Sequence, residues 1–393
     1  MRNALRFALV FVVSALLTAY AIEVHLAFEQ RNQAGRIVRA AARAGIDADR
    51  RTVGEVVDDL RKEGVDAQPF FRLISRARDI MPLGNTPERT IVFCNELGRY
   101  MVFRADRHGF NNPDEVWDRG RIDLALLGDS FVQGACEPDG HGFASLLRAD
   151  VPALLNLGVG GNEPQLDLAT LTEYAVPMHV RSALWFHFTG NDLSEMMAHR
   201  SNVLLGRYLE DGFSQDLLHR RADVERAMVD FYAGHAGEVA AKAEPEAVLE
   251  ELDWMRVLRL ANVRRRLGLT IPSGEPIDFE RFARVVERAR AVAEKAQIRL
   301  AFVILPSHEQ LDPESVDPSV RATERILRAS GLPVFDLREV FRREGAEAVY
   351  AFGAEGGHLS IWGNEIVAEY VREQVLPVLG LEPGDATGDP VTR

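Results

Sequence analysis

Two cysteines in 393 residues are too few for a disulfide framework. Cys94 and Cys136 also lack the C-x-x-C spacing of a zinc or redox pair. Export would allow one bridge between them; the plainer expectation is two unpaired residues behaving as small hydrophobes. A basic excess is missing as well. Lys and Arg total 46 against 59 Asp and Glu, for a net charge of −13 and a pI near 5.4. That balance excludes a general nucleic-acid binder, which needs a basic face for phosphate. Arginine supplies nearly all the cations. There is no internal repeat, low-complexity tract or long heptad run. No P-loop occurs, and Gly158-x-Gly160-Gly161 is too short for a dinucleotide fingerprint, lacking its third glycine. Asp192 and His199 have no third partner at metal-ligand spacing. Nothing in the chain requires a metal or a cofactor.

What is present begins with apolar residues, 47% of the chain, enough for a full core. Arg2 and Arg6 precede an apolar run from Phe7 to Ile22, which continues past Glu23 and His25 into Leu26, Ala27 and Phe28. A bilayer span takes about 20 residues. Residues 1–28 are therefore expected to be a signal anchor, facing an inner membrane with the rest of the chain in the periplasm. Ala19-Tyr20-Ala21 offers the alternative of a cleaved signal peptide and a soluble, secreted product. A buried helix of a cytosolic protein is the third reading. Arg31, Arg36, Arg39 and Arg43 outnumber the basic residues before the run, so charge leaves the orientation open.

Residues 29–120 read as an N-terminal module that leans on the main domain without being a catalytic unit. Val53, Val56, Val57 and Leu60 form one helical stripe, closed by Gly64 as a C′ residue. Residues 67–88 look irregular, with Pro69, Pro82, Gly84 and Pro87 as breakers. The runs 90–94 and 100–103 flank a turn-forming quartet and suggest a hairpin. From 121 the pattern changes. Apolar runs at 122–127, 153–157, 183–188, 300–305 and 334–335 alternate with helical stretches at 139–150, 163–175, 277–296, 318–330 and 361–377. Strands apolar on both faces belong in a parallel sheet covered by helices. The fold class is α/β: a three-layer α/β/α, flavodoxin-like doubly wound parallel sheet over 121–378. Residues 200–275, with Trp254, interrupt the alternation as a helical insertion, either a lid or a flank. Residues 379–393 read as a flexible tail.

In such sheets the ligand site lies beyond the C-terminal strand ends, and here each strand end carries a polar group. The first ends in Gly128-Asp129-Ser130, which exposes a hydroxyl and a backbone N–H. The second runs into Gly158-Val159-Gly160-Gly161-Asn162, where glycine lets the backbone approach a ligand. The third ends in Gly190-Asn191-Asp192. The Asn191 amide can donate to an oxyanion or serve as a helix N-cap. Near the C-terminus His358 follows Glu355 by three residues, on a loop before a helix. A carboxylate there can hold an imidazole in its working tautomer. Taken singly, these stretches read as a turn, a cap or a structural histidine as readily as, or more readily than, a catalytic group.

Together the four blocks, in this order and at these strand ends, resemble the SGNH (GDSL-type) hydrolase superfamily, over about two thirds of the chain. The segment Asp106 to Pro113 looks like the lead-in of its membrane-tethered bacterial members. The resemblance implies Ser130 as nucleophile and His358 as general base, with Glu355 orienting it. It implies the Ser130 N–H, the Gly161 N–H and the Asn191 amide as oxyanion donors, with Gly128, Asp129 and Gly190 as motif support. One departure stands out, since the family has Asp three residues before the histidine. A backbone carbonyl or Asp336 could take the acid's place, although Asp336 also reads as an N-cap. The implied activity is removal of acyl groups, acetyl first, from a cell-envelope glycan or lipid, with no cofactor. The implied partners are that acylated substrate and the membrane. Two rivals share the fold: an O-acyltransferase acting on an exported polysaccharide, and a non-catalytic polysaccharide-binding or assembly module.

Overall fold

The computed structural model describes residues 2–31, 33–74, 79–138, 140–243, 257–266, 277–312 and 317–381. Trp254 and residues 382–393 of the tail lie outside these. Among the described residues eight strands fall into two sheets. The small one holds β1 (Ala67–Pro69), β2 (Thr90–Val92) and β3 (Val102–Arg104). The main one holds β4 (Leu124–Leu127), β5 (Leu154–Asn156), β6 (Ser182–Phe188), β7 (Arg299–Leu305) and β8 (Val334–Asp336), in the order β5-β4-β6-β7-β8. Every neighbouring pair in the main sheet is parallel. That is the expected flavodoxin-like order.

The alternation along β4 shows why both faces must be covered. Leu124 and Leu126 enter one core, with Leu184, Phe186, Val303, Phe341 and Val367. Ala125 and Leu127 enter the other, with Trp185, Phe302, Phe282 and Val285. Helices Phe143–Leu147, Arg338–Glu344 and Ile361–Tyr370 cover the first face, and Pro164–Thr170 and Phe279–Ala296 the second. Burying each leucine-sized side chain contributes about 1.5–3 kcal/mol, so the two cores hold the layers together. Register then aligns the strand ends. Leu126 pairs with both Asn156 and Leu184, so the loops after β4, β5 and β6 leave the sheet at one edge. The chain order reverses between β4 and its neighbours, which is where a doubly wound sheet opens a crevice.

The N-terminal segment follows its pattern in part. Thr52 and Glu55 form a capping box on the helix Val53–Lys62, whose Val53, Val56 and Val57 are buried, and Gly64 ends it at φ 85°. β2 and β3 form the expected antiparallel hairpin. β1 was not expected: three residues ending in Pro69 add to β2 in parallel. A run that short carries no periodicity to read.

One continuous helix, Arg2–Arg31, carries the apolar segment, and its stretch Val10–Ala27 is long and apolar enough to cross a membrane, with a mean hydropathy of 1.8. A cleavable leader has the same composition. Phe7, Phe11 and Leu17 are exposed on it. Glu23 is buried, and its carboxylate accepts the Val263 N–H at 2.8 Å. The inserted segment thus packs on this helix. The longer inserted helix, Arg221–Ala243, places Met228 and Val239 against Phe71 and Leu73 of the N-terminal segment. Its described contacts are those of a flank, not of a lid over Ser130.

Candidate active site

Gly128 closes β4 at φ 149°, and a Cβ there would stand 2.5 Å from Val132 Cγ2 and 3.1 Å from the Phe186 carbonyl oxygen. Only glycine fits this turn. Asp129 follows as the N-cap of a short helix, Ser130–Gln133, with its Oδ1 accepting the Phe131 N–H at 3.0 Å. Ser130 is therefore the first residue of that helix, where a backbone N–H has no intrahelical acceptor. Its side chain stays partly exposed at the sheet edge.

The Ser130 hydroxyl donates to His358 Nε2 at 2.8 Å. At the other side of the ring, Nδ1 donates to Glu96 Oε1 at 3.0 Å, and the His358 backbone N–H donates to Glu96 Oε2 at 2.6 Å. With its proton on Nδ1, Nε2 is left as an acceptor, the tautomer a general base needs. Burial disfavours the charged imidazole, but the Glu96 carboxylate outweighs it and holds His358 above its ordinary pKa. Burial likewise opposes ionisation of Glu96, and the facing imidazole, with its ring hydrogen bond and that of the His358 backbone N–H, keeps that carboxyl below its usual range.

Glu355, expected to orient the histidine, does not reach it. Both its carboxylate oxygens accept from Arg39 Nη2 at 3.1 Å, and one lies 3.5 Å from Arg36 Nε. The physical reason is the turn between them: Gly356 and Gly357 both take φ 86°, and the chain reverses so that Glu355 faces the helix Gln33–Arg43. Asp336 does not substitute either. Its carboxylate is held by Arg338, with Oδ1 accepting from the Arg338 backbone N–H at 2.9 Å and from Nε at 3.0 Å, while Leu337 and not Asp336 occupies the N-cap of the helix Arg338–Glu344.

Glu96 comes from the turn of the β2–β3 hairpin, in the segment expected to stand apart from the chemistry. Its position is fixed by a bridge between Cys94 and Cys136, 42 residues apart in sequence. Cys94 lies two residues before Glu96 and Cys136 six after Ser130, so the bond ties the carboxylate's hairpin to the serine's helix. The expectation of two unpaired cysteines is corrected by this bond. Pairing the cysteines first was the signal that could have found Glu96. The Cys136 sulfur also approaches His358 Nδ1 to 3.3 Å. Cys94, Cys136 and His358 bring ligand-type atoms within 4.8 Å of one another. Both sulfurs are spent on each other, so no thiolate is available to hold a metal.

The two remaining blocks lie at the same edge. Gly161 takes φ 74° with open space beside it. Its loop is pinned at Gly160, whose N–H donates to Gln133 Oε1 at 2.6 Å and whose carbonyl accepts from Arg72 Nη1 at 3.0 Å. Asn191 occupies the N-cap position of the helix Asp192–His199, yet its side chain makes no capping bond. The amide instead donates to Glu195 Oε1 at 2.7 Å. Gly190 is exposed in the turn before it, and Asp192 is buried, its Oδ2 accepting the Phe188 N–H at 2.9 Å. Behind Ser130, burial first and neighbouring carboxylates second push Asp129 and Asp192 well above the usual range. The lead-in segment supports this edge: Asn111 Nδ2 donates to the Gln133 carbonyl at 3.0 Å, and Asn112 Oδ1 accepts the Asn156 N–H at 2.8 Å. Chemically, the arrangement offers an activated hydroxyl, a base with an oriented tautomer, and backbone and amide donors nearby.

No family model and no curated relative matches the chain. Among solved structures it is similar to an acetyl xylan esterase, AlAXEase, at 13% identity and a TM-score of 0.37, over 63% of this chain and 96% of that one. It is also similar to the lipase/acylhydrolase from Enterococcus faecalis, at 15% identity and a TM-score of 0.36, over 67% of this chain and 100% of that one. Likeness at this level carries no argument about chemistry, which rests here on the residues themselves.

Proposed function

We propose that the chain is a serine ester hydrolase that removes acyl groups, acetyl first, from a cell-envelope glycan or lipid. The observation that carries the reading is the unbroken relay from Ser130 Oγ through His358 to Glu96. A hydroxyl bonded to a base, which a third group orients, is the arrangement of an activated nucleophile.

In this mechanism His358 Nε2 takes the Ser130 proton as Oγ bonds to the ester carbonyl carbon. The oxyanion is received by the Ser130 N–H, the Gly161 N–H and the Asn191 amide. A preorganised donor of this kind is worth about 3–4 kcal/mol in the transition state. The imidazolium, stabilised by Glu96, returns its proton to the departing alcohol oxygen as the ester C–O bond breaks. Water then attacks the acyl-enzyme while His358 takes its proton, and Ser130 is regenerated when Oγ leaves with that proton. No cofactor enters. Ser130, Gly161, Asn191 and His358 all keep partial exposure to solvent, which favours water over a second alcohol as acceptor and so favours hydrolysis over acyl transfer.

Export is part of the proposal. An apolar helix at the N-terminus and a disulfide beside the site both suit an oxidising compartment. Membrane tethering that faces the periplasm fits an envelope substrate.

The test is hydrolysis of p-nitrophenyl acetate by the full-length chain, beside Ser130→Ala and His358→Ala. Turnover by wild type with loss in both variants supports the reading. A folded wild type that is silent overturns simple ester hydrolysis and moves the acceptor-dependent transferase ahead.

A further inference from the structure

We propose that Glu195 is a positioning residue that fixes the Asn191 side-chain amide for oxyanion binding. This inference rests on the proposed role of Asn191 as a donor. Asparagine at a helix N-cap ordinarily turns its side-chain oxygen onto the helix's own N–H groups. Here that bond is absent. Asn191 Nδ2 donates instead to Glu195 Oε1 at 2.7 Å, one helical turn further along the same helix. One of the two amide hydrogens is thereby spent on Glu195. The amide nitrogen cannot exchange places with the oxygen without losing that bond, because a carboxyl oxygen accepts from N–H and not from C=O. The second amide hydrogen is left as the free donor.

The surroundings agree. Asn191 Oδ1 and Glu195 Oε2 are both buried and have no hydrogen-bond partner among the described residues. Nothing else therefore holds the amide in its orientation. Glu195 is half-buried, close to Arg72, Glu163 and His199. Burial raises its carboxyl above the ordinary value. Arg72 gives parallel support to the other donor loop through the Gly160 carbonyl and Asn162 Oδ1, each at 3.0 Å. The two candidate side-loop donors are thus each braced by a half-buried ionisable residue.

The test compares Glu195→Ala, Glu195→Gln, Asn191→Ala and the double variant Asn191→Ala/Glu195→Ala in the full-length chain. Expected is a fall in kcat of about 10- to 100-fold in Glu195→Ala, the usual consequence of a catalytic group held loosely, with KM little changed. Glu195→Gln, which keeps an oxygen acceptor at the same place, should restore most of kcat. The double variant should be no slower than Asn191→Ala alone. Wild-type kcat in Glu195→Ala, no rescue by glutamine, or multiplicative losses in the double variant would each overturn the proposal. A second measurement stands apart from ester turnover. The Asn191 side-chain amide signals, assigned by their loss in Asn191→Asp, should shift in Glu195→Ala and stay near their wild-type position in Glu195→Gln. If wild type hydrolyses nothing yet these shifts appear, the functional reading fails and the brace stands. Unshifted signals in Glu195→Ala remove the brace whatever the activity.

Discussion

Glu96 and His358 lie 262 residues apart in the chain, and both carboxylate oxygens of the first are bonded to the second, one to the ring and one to the backbone. The double attachment fixes the ring's position as well as its tautomer. Replacing Glu96 by Gln removes the charge that raises the His358 pKa. A general base must be neutral, so wild-type activity rises as pH passes the raised value. In Glu96→Gln the acid limb of the kcat/KM profile should move to lower pH, while the plateau falls by about 10²–10⁴-fold, the range for a mispositioned general base. Glu355→Ala should leave both features in place, since it loses only its ion pairs with Arg39 and Arg36, each worth about 0–1 kcal/mol at a half-exposed carboxylate. A pH profile of the three proteins checks this.

Asn191→Ala should lower kcat by about 10²–10³-fold with KM held, the loss seen when one preorganised oxyanion donor goes. An equal rise in KM with kcat untouched would assign Asn191 to ground-state binding. Steady-state kinetics on a simple ester separate the two.

The Cys94–Cys136 bond closes a loop of 42 residues of sequence separation. Chain entropy alone assigns such a loop about 4 kcal/mol of stability. Cys94→Ser with Cys136→Ser should therefore lower Tm. It should also lower kcat at temperatures where the variant is still folded, because Glu96 loses its tether. Thermal melting and kinetics on the same preparation distinguish the two effects.

Glu137 is buried, both its carboxylate oxygens lack a partner among the described residues, and burial with the nearby Glu96 charge pushes its pKa up to about 9. The folded state then holds a proton that the unfolded state releases above its ordinary value near 4.5. Stability must fall as pH rises through that window, by about 1.4 kcal/mol per pH unit for this one group. Glu137→Gln removes the penalty. It should raise Tm over wild type at pH 8 by more than at pH 5, and equal gains at both would contradict the assignment.

The sheet and its strand ends were legible because its longer strands are apolar on both faces and run into glycine or proline, so Gly128, Gly158 and Gly190 mark one edge by pattern alone. Ser130 could be named for the same reason, sitting just past such a boundary, and His358 from its place on a loop just before the final helix. Glu96 could not. Its turn reads as ordinary hairpin punctuation, and its partner is brought to it by a second sheet and a disulfide that no local pattern encodes. Glu355 was the near choice in sequence, and two glycines turned it away. The partner of Asn191 was hidden differently. Spacing of four residues to Glu195 is common on helices, and only the unused N-cap shows that this pair is set apart. The inserted helix Arg221–Ala243 showed its helicity but not its contacts, since Phe71 and Leu73 lie in a stretch with no periodicity.

The most direct test of the Ser130–His358–Glu96 unit is covalent labelling by a fluorophosphonate, read by mass spectrometry of the intact chain and its peptides. One adduct on Ser130 is expected, absent in Ser130→Ala, much slower in His358→Ala and Glu96→Ala, and at wild-type rate in Glu355→Ala. Labelling at another residue, or a rate unchanged by loss of Glu96, would contradict the account.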